Sequence, residues 1–235
     1  MNEGSNLLDT LSEGDRSIID AYLTECAFPA GTIFMEPGDV VEYCYFPQGA
    51  AIGSFFVLLE DSQIVETTLI GREGAVGGVV SHGNNPAFAR AIVMNKGRFF
   101  RISVNDLDRA KQQSPAIAEL LARYADCLMA QVFQSIGCNA THSIEQRAAK
   151  WIGAALERTG QNDISMTQEQ LASMMGIGRS YASRVVQRFK RDGLLRTRRG
   201  GIVVIDSDGL EARACNCHRR VRHHFDTVLA GVYPD

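Results

Sequence analysis

The chain has 235 residues, enough for one large domain or two ordinary ones. Apolar residues make up 45% and charged residues 22%, the composition of a globular protein. No apolar run reaches the roughly 18 residues that a membrane span needs, and the opening MNEGSNLLDT has neither the basic nor the apolar region of a signal peptide. The expectation is a cytoplasmic protein, without a membrane partner, whose six cysteines are reduced thiols.

The net charge of −3 conceals an uneven distribution. From Met1 to Gln113, 8 basic residues face 15 acidic ones; from Thr167 to Ile205, 8 basic residues face 2 acidic ones. An acidic front and a basic back suggest two domains with different partners. A basic segment is also what any solvated surface can look like, so charge alone does not decide.

Residues 7 to 25 read as a short helix, with Ser12 as a possible cap and Leu11, Ile18, Ile19 and Tyr22 at helical spacing. From about Phe28 to Val104, short apolar runs (TIF, YCYF, SFFVLL, ARAIVM, RFFRI) alternate with Gly- and Pro-rich turns. That texture predicts an antiparallel barrel or roll. Asp106 opens a helical region in which Pro115 suits a first turn. Ile117, Leu121, Tyr124, Leu128, Val132 and Ile136 then follow at steps of three or four, flanked by Leu120 and Met129. One apolar stripe on a long helix between two domains is a natural dimer interface, carried by Ile117, Leu121, Tyr124, Leu128 and Val132. The alternative is that the stripe packs on the roll. A second helix covers Thr141 to Arg158, with Ile144, Ala148, Trp151, Ile152 and Leu156 inward. The division expected is 1–113 for the roll, 114–138 for the long helix and 139–235 for the C-terminal domain.

Residues 165–206 carry the strongest motif, SMTQEQLASMMGIGRSYASRVVQRFKRDGLLRTRRGGIVVID. Thr167 with Gln170 three residues on is a capping box, so a helix begins there. Gly176 ends it with the sharp turn of a helix-turn-helix. A second helix from Gly178 to Asp192 buries Ala182, Val185, Val186 and Phe189. Arg179, Ser180, Ser183, Arg184, Gln187 and Arg188 face the other way. Two apolar strands around Arg198-Arg199-Gly200-Gly201 form a hairpin, as in a wing. The major groove admits one helix, arginine pairs bidentately with guanine, and hydroxyls of Thr167, Ser180 and Tyr181 suit phosphates. An ordinary helical hairpin with a charged exterior would not need this combination.

The chain here resembles the Crp/Fnr family, most strongly at TQEQLASMMGIGRSYASRVVQRFKRDGLL followed by GGIVV. The resemblance implies an α+β fold: an N-terminal antiparallel β-roll of the cyclic-nucleotide-binding type, a long dimerisation helix and a C-terminal winged helix-turn-helix. It implies a homodimeric transcription regulator on a two-fold DNA site, with RNA polymerase as a partner. Carried over by position, Arg179, Ser180 and Arg184 would contact bases, and Thr167, Gln168 and Arg198 would lie near phosphates; Tyr181, Ser183, Arg188 and Arg199 complete the expected DNA face. Ser180 stands where many members have Glu, so an atypical half-site is expected.

The family's cyclic-nucleotide motif is degraded. Gly77-Gly78 stands where Gly-Glu is expected, and Ala89-Arg90 near where Arg-Ser is expected. A shift of one residue in a strand turns a side chain to the other face. Cyclic AMP is therefore not expected, although Arg72, Glu73, Gly77, Gly78 and Arg90 could line a remodelled effector pocket for a small-molecule or redox signal. Cys26 and Cys44 lack iron–sulfur spacing, and His82, the only histidine before His142, reads as a loop residue, so neither an iron–sulfur cluster nor haem is expected. Cys127 and Cys138 share a helix face. The tail holds Cys215, Cys217 and His218, but C-x-C-H lacks the usual zinc spacing and its surroundings read as an amphipathic helix, so no metal is expected. No catalytic constellation appears, and a metal-dependent cupin would need more histidines than the roll has. The competing function is a ligand-binding or interaction module that does not touch DNA.

Overall fold

Turns rich in Gly and Pro cut residues 24–103 into strands too short to stand alone, and two antiparallel sheets pair them. The computed structural model describes residues 4–60, 64–80 and 85–233. One sheet has the order β1 (Thr24–Phe28), β8 (Gly97–Ser103), β3 (Tyr43–Pro47), β6 (Val76–Gly77). The other has the order β2 (Ile33–Met35), β7 (Arg90–Asn95), β4 (Ile52–Leu58), β5 (Ile64–Ile70). This is the expected roll. Phe28, Phe34, Tyr45 and Phe99 fill its interior, with Phe34 stacked on Tyr45 at 3.8 Å and Phe99 edge-on to Phe34 at 5.4 Å. Such pairs add about 0.5–1.5 kcal/mol each beyond area burial. His82 and the turn around it lie outside the described residues.

The N-terminal segment differs from the single helix expected over 7–25. Two short helices form instead, α1 (Asn6–Asp9) and α2 (Glu13–Asp20), and residues from Thr24 join β1. The break has a local cause: Ser12 caps α2 by accepting from the Asp15 N–H, while the Leu7 N–H is drawn to the Arg72 carbonyl of the roll at 3.1 Å.

After α3 (Val104–Gln113), Ser114 caps α4 (Pro115–Thr141), a helix of 27 residues with Pro115 in its first turn. At about 1.5 Å per residue it spans roughly 40 Å. It ends at Thr141, so the break falls at His142–Ser143, a few residues beyond 138. Ser143 and Gln146 form a capping box that starts α5 (Ile144–Thr159).

The stripe expected to form the dimer interface is largely spent within the chain. Ile117, Leu121 and Tyr124 are buried against α1, α2, the roll and the C-terminal helix, and Leu128 packs on the roll core. Val132 is half-buried. The physical reason is the close approach of the roll at Gly74, where a Cβ would stand 2.6 Å from the Tyr124 hydroxyl. That hydroxyl donates to the Ala75 carbonyl at 2.9 Å. The apolar side chains that α4 leaves exposed are Met129, Phe133 and Ile136, again spaced four and three apart.

The C-terminal domain comprises α5, β9 (Asp163–Ile164), α6 (Gln168–Met175), α7 (Arg179–Arg191), β10 (Leu195–Arg198), β11 (Gly201–Val204) and α8 (Ser207–Arg213), with a three-stranded sheet ordered β10-β11-β9. Helix α9 (Cys217–Val228) returns to pack along α4, burying Val221 and Phe225. The domain core merges with the underside of the roll at Ile52, Phe56, Leu69 and Met94.

Inside the roll, Glu66 is 3% exposed and receives the Ser54 hydroxyl hydrogen bond. Burial pushes its carboxyl from 4.5 up to about 8. Between those values the folded chain keeps a proton that the unfolded chain releases, so stability falls as pH rises across that window. Glu66→Gln should therefore raise the thermal midpoint near pH 8 and change it little near pH 4, as read by calorimetry at the two pH values. An equal shift at both would contradict the assignment.

Candidate DNA interface

Thr167 and Gln170 set the start of α6 reciprocally: the Gln170 N–H donates to the Thr167 hydroxyl at 3.1 Å, and the Thr167 N–H to the Gln170 amide oxygen at 2.8 Å. Gly176 closes α6 in the left-handed region at φ 63°, a conformation that favours glycine. Arg147 on α5 donates to the Met175 carbonyl at 2.7 Å, which satisfies an end group of α6 and fixes the turn. Helix α7 then seats Ala182, Val185, Val186 and Phe189 in the domain core.

The opposite face of α7 is exposed at Arg179, Ser180, Tyr181, Arg184, Gln187 and Arg188, and Ser183 is half-buried. Its first turn has no acidic residue, so the positive end of the helix stays available to an anion. The arginines divide into two kinds. Among the described residues, Arg179 and Arg184 have no carboxylate partner, and the Arg184 guanidinium lies 4.9 Å over the Tyr181 ring. Arg188 is committed to Glu145 at 2.7 Å, in a chain of pairs that continues through Arg213 to Asp192. That hydrogen bond to Glu145 holds the Arg188 guanidinium above its ordinary range.

The wing forms as expected between β10 and β11, with Arg198 opposite Gly201. Arg198 is tied to Asp163 at 2.5 Å and to the Arg199 carbonyl at 3.0 Å, while Arg199 is exposed. Thr167 and Gln168 are half-buried at the start of α6. The structure thus brings the expected DNA residues onto one domain and, among the described residues, leaves Arg179 and Arg184 without a carboxylate partner while Arg188 and Arg198 have one.

The family model of the Crp-like helix-turn-helix domain matches residues 146–213. This segment is a Crp-like helix-turn-helix domain. Over about four fifths of its length the chain has the fold of the Crp/Fnr transcription regulators. It is similar to the c-di-GMP-responsive global regulator CLP of Xanthomonas campestris, at 18% identity over 82% of this chain and 99% of that one, with a TM-score of 0.65. It is similar to FixK2 of Bradyrhizobium japonicum, at 14% identity over 82% and 98%, with a TM-score of 0.67. A CRP-family transcriptional regulator from Thermus thermophilus aligns at 16% identity over 80% and 96%, with a TM-score of 0.67. No curated protein sequence matches the chain.

The Crp-like domain docks on the roll through α6. Ser173 donates to the Ile64 carbonyl at 2.7 Å. Beside this contact lies a cleft of about 690 Å³ between Ile33, Ile64 and Arg90 on the roll and Gln170, Ile177 and Arg179 on the domain. Of the residues expected to line an effector pocket, Arg90 alone borders this cleft, where it pairs with Glu36 at 2.6 Å. Glu73 is no pocket residue. It is 4% exposed and holds the buried Arg158 guanidinium of α5 at 2.8 Å. Gly77, at φ 122°, lies so close to the Tyr43 carbonyl that a Cβ would stand 2.3 Å from it, and Gly78 faces Val41 and Val104. Arg72 is half-buried in the same turn. The tight approach is at Gly77, while Gly78 stands at ordinary contact distance from its neighbours.

The cysteines are arranged otherwise than their spacing suggested. Cys127 is buried between α4 and its neighbours. Cys138, at the end of α4, meets Cys215 with 3.6 Å between sulfurs, and the Cys217 sulfur lies 3.6 Å from His142 Nδ1. His218 is not part of this group. It begins the first turn of α9 next to Cys217 and hydrogen-bonds Glu157 instead, because successive helical residues point about 100° apart. Cys138 and His142 were missed as partners, although four residues at the end of a helix put two side chains on one face. The hydrogen bond from Cys138 lowers the Cys215 thiol below its ordinary range.

The Glu73–Arg158 pair joins the roll to the Crp-like domain with both side chains out of water. Removing one partner of such a pair costs about 3–5 kcal/mol, whereas replacing both with apolar groups is close to neutral. Glu73→Leu should therefore lower the urea midpoint sharply, and Glu73→Leu combined with Arg158→Met should recover much of the loss. Additive losses in the double variant would refute a coupled pair.

Proposed function

We propose that this chain is a sequence-specific DNA-binding transcription regulator that works as a homodimer on a two-fold site, with its roll as the sensing unit and RNA polymerase as a partner. One observation carries the reading. Within a Crp-like domain, the exposed face of α7 presents Arg179 and Arg184 unpaired, beside Ser180 and Tyr181 and above a helix start with no acidic residue. Unpaired arginines on a helix that fits the major groove suit guanine edges, and hydroxyls beside them suit phosphates. Arg188 and Arg198 are held by acids of the same chain, so their part is to set the face and, where DNA displaces the acids, to add charge.

A second copy of the chain finds a natural partner surface in Met129, Phe133 and Ile136 on α4, exposed by 51%, 68% and 63%. Their spacing lays them along one face of the helix that joins the two domains. Pairing there would place two recognition helices about a two-fold axis, matching a symmetric site. A signal that altered the docking of α6 on β5 would change their separation, a two-state switch biased by differential binding. Gly78 stands where the ribose carboxylate would be, which supports an effector bound otherwise than through that contact.

Selection from random duplex DNA with the purified chain should enrich a two-fold symmetric site. Arg184→Ala should relax the preference at one position per half-site, at a cost of about 1–3 kcal/mol. A steep fall of affinity with salt is expected from counterion release, whereas an interaction module that does not bind DNA would show none. Absence of enrichment both alone and with candidate effectors would refute the DNA reading. Phe133→Glu should convert the dimer to a monomer in light scattering and weaken binding to the symmetric site at least tenfold; a dimer unchanged by it would place the interface elsewhere.

A further inference from the structure

Four groups with metal-ligand chemistry converge at the joint between α4 and the Crp-like domain. Cys138 lies in the last turn of α4, His142 stands in the link to α5, Cys215 lies in the link from α8 to α9, and Cys217 opens α9. One atom of each, three sulfurs and an imidazole nitrogen, lies within 4.8 Å of all the others. We propose that Cys138, His142, Cys215 and Cys217 form a closed tetrahedral site for a single zinc ion.

The distances select a mononuclear ion. With zinc–sulfur bonds of about 2.3 Å and zinc–nitrogen bonds of about 2.0 Å, a tetrahedron has edges of about 3.8 Å between sulfurs and about 3.6 Å between sulfur and nitrogen. The Cys138–Cys215 and Cys217–His142 separations are both 3.6 Å. The four ligands of an iron–sulfur cluster are spread over at least two irons, so those on different irons stand farther apart, whereas here all four lie within 4.8 Å of one another. A hard cation would want oxygen donors, whereas thiolate and imidazole suit zinc.

The surroundings supply an independent argument. Lys150 is buried, at 7% exposure, with its ammonium 3.7 Å from the Cys138 sulfur. Among the described residues it has no carboxylate partner; it lies 4.1 Å over the Trp151 ring, and the charged groups nearby are Arg147, Cys215 and Cys217. A buried ammonium needs a nearby anion. Three thiolates on a dication supply it: they leave one net negative charge beside Lys150. Gln134 donates to the Cys217 sulfur at 3.2 Å, the kind of outer contact that orients a ligand thiolate. With all three cysteines buried, no open position faces solvent, so the site is structural and not catalytic. Binding takes a zinc dication from solution, releases the three thiol protons to water and leaves His142 neutral with its proton on Nε2. The ion would tie the end of the long helix to the segment leaving the Crp-like domain at residue 213, holding the angle between the two units.

The test uses the full chain purified under reducing conditions without added metal. Elemental analysis should find about one zinc per chain, as a structural site of this kind retains its ion. Replacing the zinc with cobalt(II) should produce the visible bands of tetrahedral cobalt and the near-ultraviolet thiolate charge-transfer band. Cys215→Ser and His142→Ala should each lower the metal content at least tenfold, while Cys26→Ser, outside the cluster, should leave it unchanged. Should the cluster variants fail to fold, titrating the metal-stripped wild-type chain with cobalt(II) alone decides the matter. No zinc in the isolated protein together with no tetrahedral cobalt spectrum would overturn the proposal. A stoichiometric Cys138–Cys215 disulfide would also overturn it, as would iron accompanied by inorganic sulfide.

Discussion

The turn at residues 71–75 is the constraint on which the rest of the arrangement hangs. Three elements reach it from three directions. Helix α1 donates its Leu7 N–H to the Arg72 carbonyl, α4 sets the Tyr124 hydroxyl on Ala75 across the space Gly74 leaves open, and α5 delivers Arg158 to Glu73. The last of these is a fully desolvated ion pair, weak as a net source of stability but costly to break on one side. The turn therefore specifies where the long helix and the DNA-binding domain lie against the roll more than it adds to the total free energy.

With that joint in place, the face of α7 is a consequence. Its buried side is anchored by Phe189 and Val186 in a core shared with the roll, and its far end is held by the Arg188–Glu145–Arg213–Asp192 chain. Arg179 opens the helix and Arg184 lies about one and a half turns on, and among the described residues neither has a carboxylate partner. The docking of α6 on β5 combines one hydrogen bond, from Ser173 to the Ile64 carbonyl, with the apolar core shared at Leu69 and Phe56, beside an open cleft.

Local grammar made much of this visible from the residues alone. The capping box at Thr167 and the left-handed Gly176 are short-range devices, and they sit where the pattern put them; the box at Ser143, which starts α5 three residues later than the expected Thr141, went unread. The even spacing of turns likewise announced the roll. Misreadings arose where a local pattern had two possible partners. The stripe Ile117, Leu121, Tyr124 is equally a dimer seam or a core face, and only the proximity of Gly74 settles it as core. Glu73 looked available because its partner, Arg158, is 85 residues away in sequence.

The sequence by itself determined the element types, their order and the helix-turn-helix chemistry, because propensity, capping and periodicity act over a few residues. Tertiary structure decided which apolar face of α4 stays exposed, which arginines remain unpaired and which histidine joins the cysteines. Those outcomes depend on distances between residues far apart in the chain. Cys138 and Cys215, 77 positions apart, meet only because α9 folds back along α4, and no spacing rule in a single sequence encodes such a return.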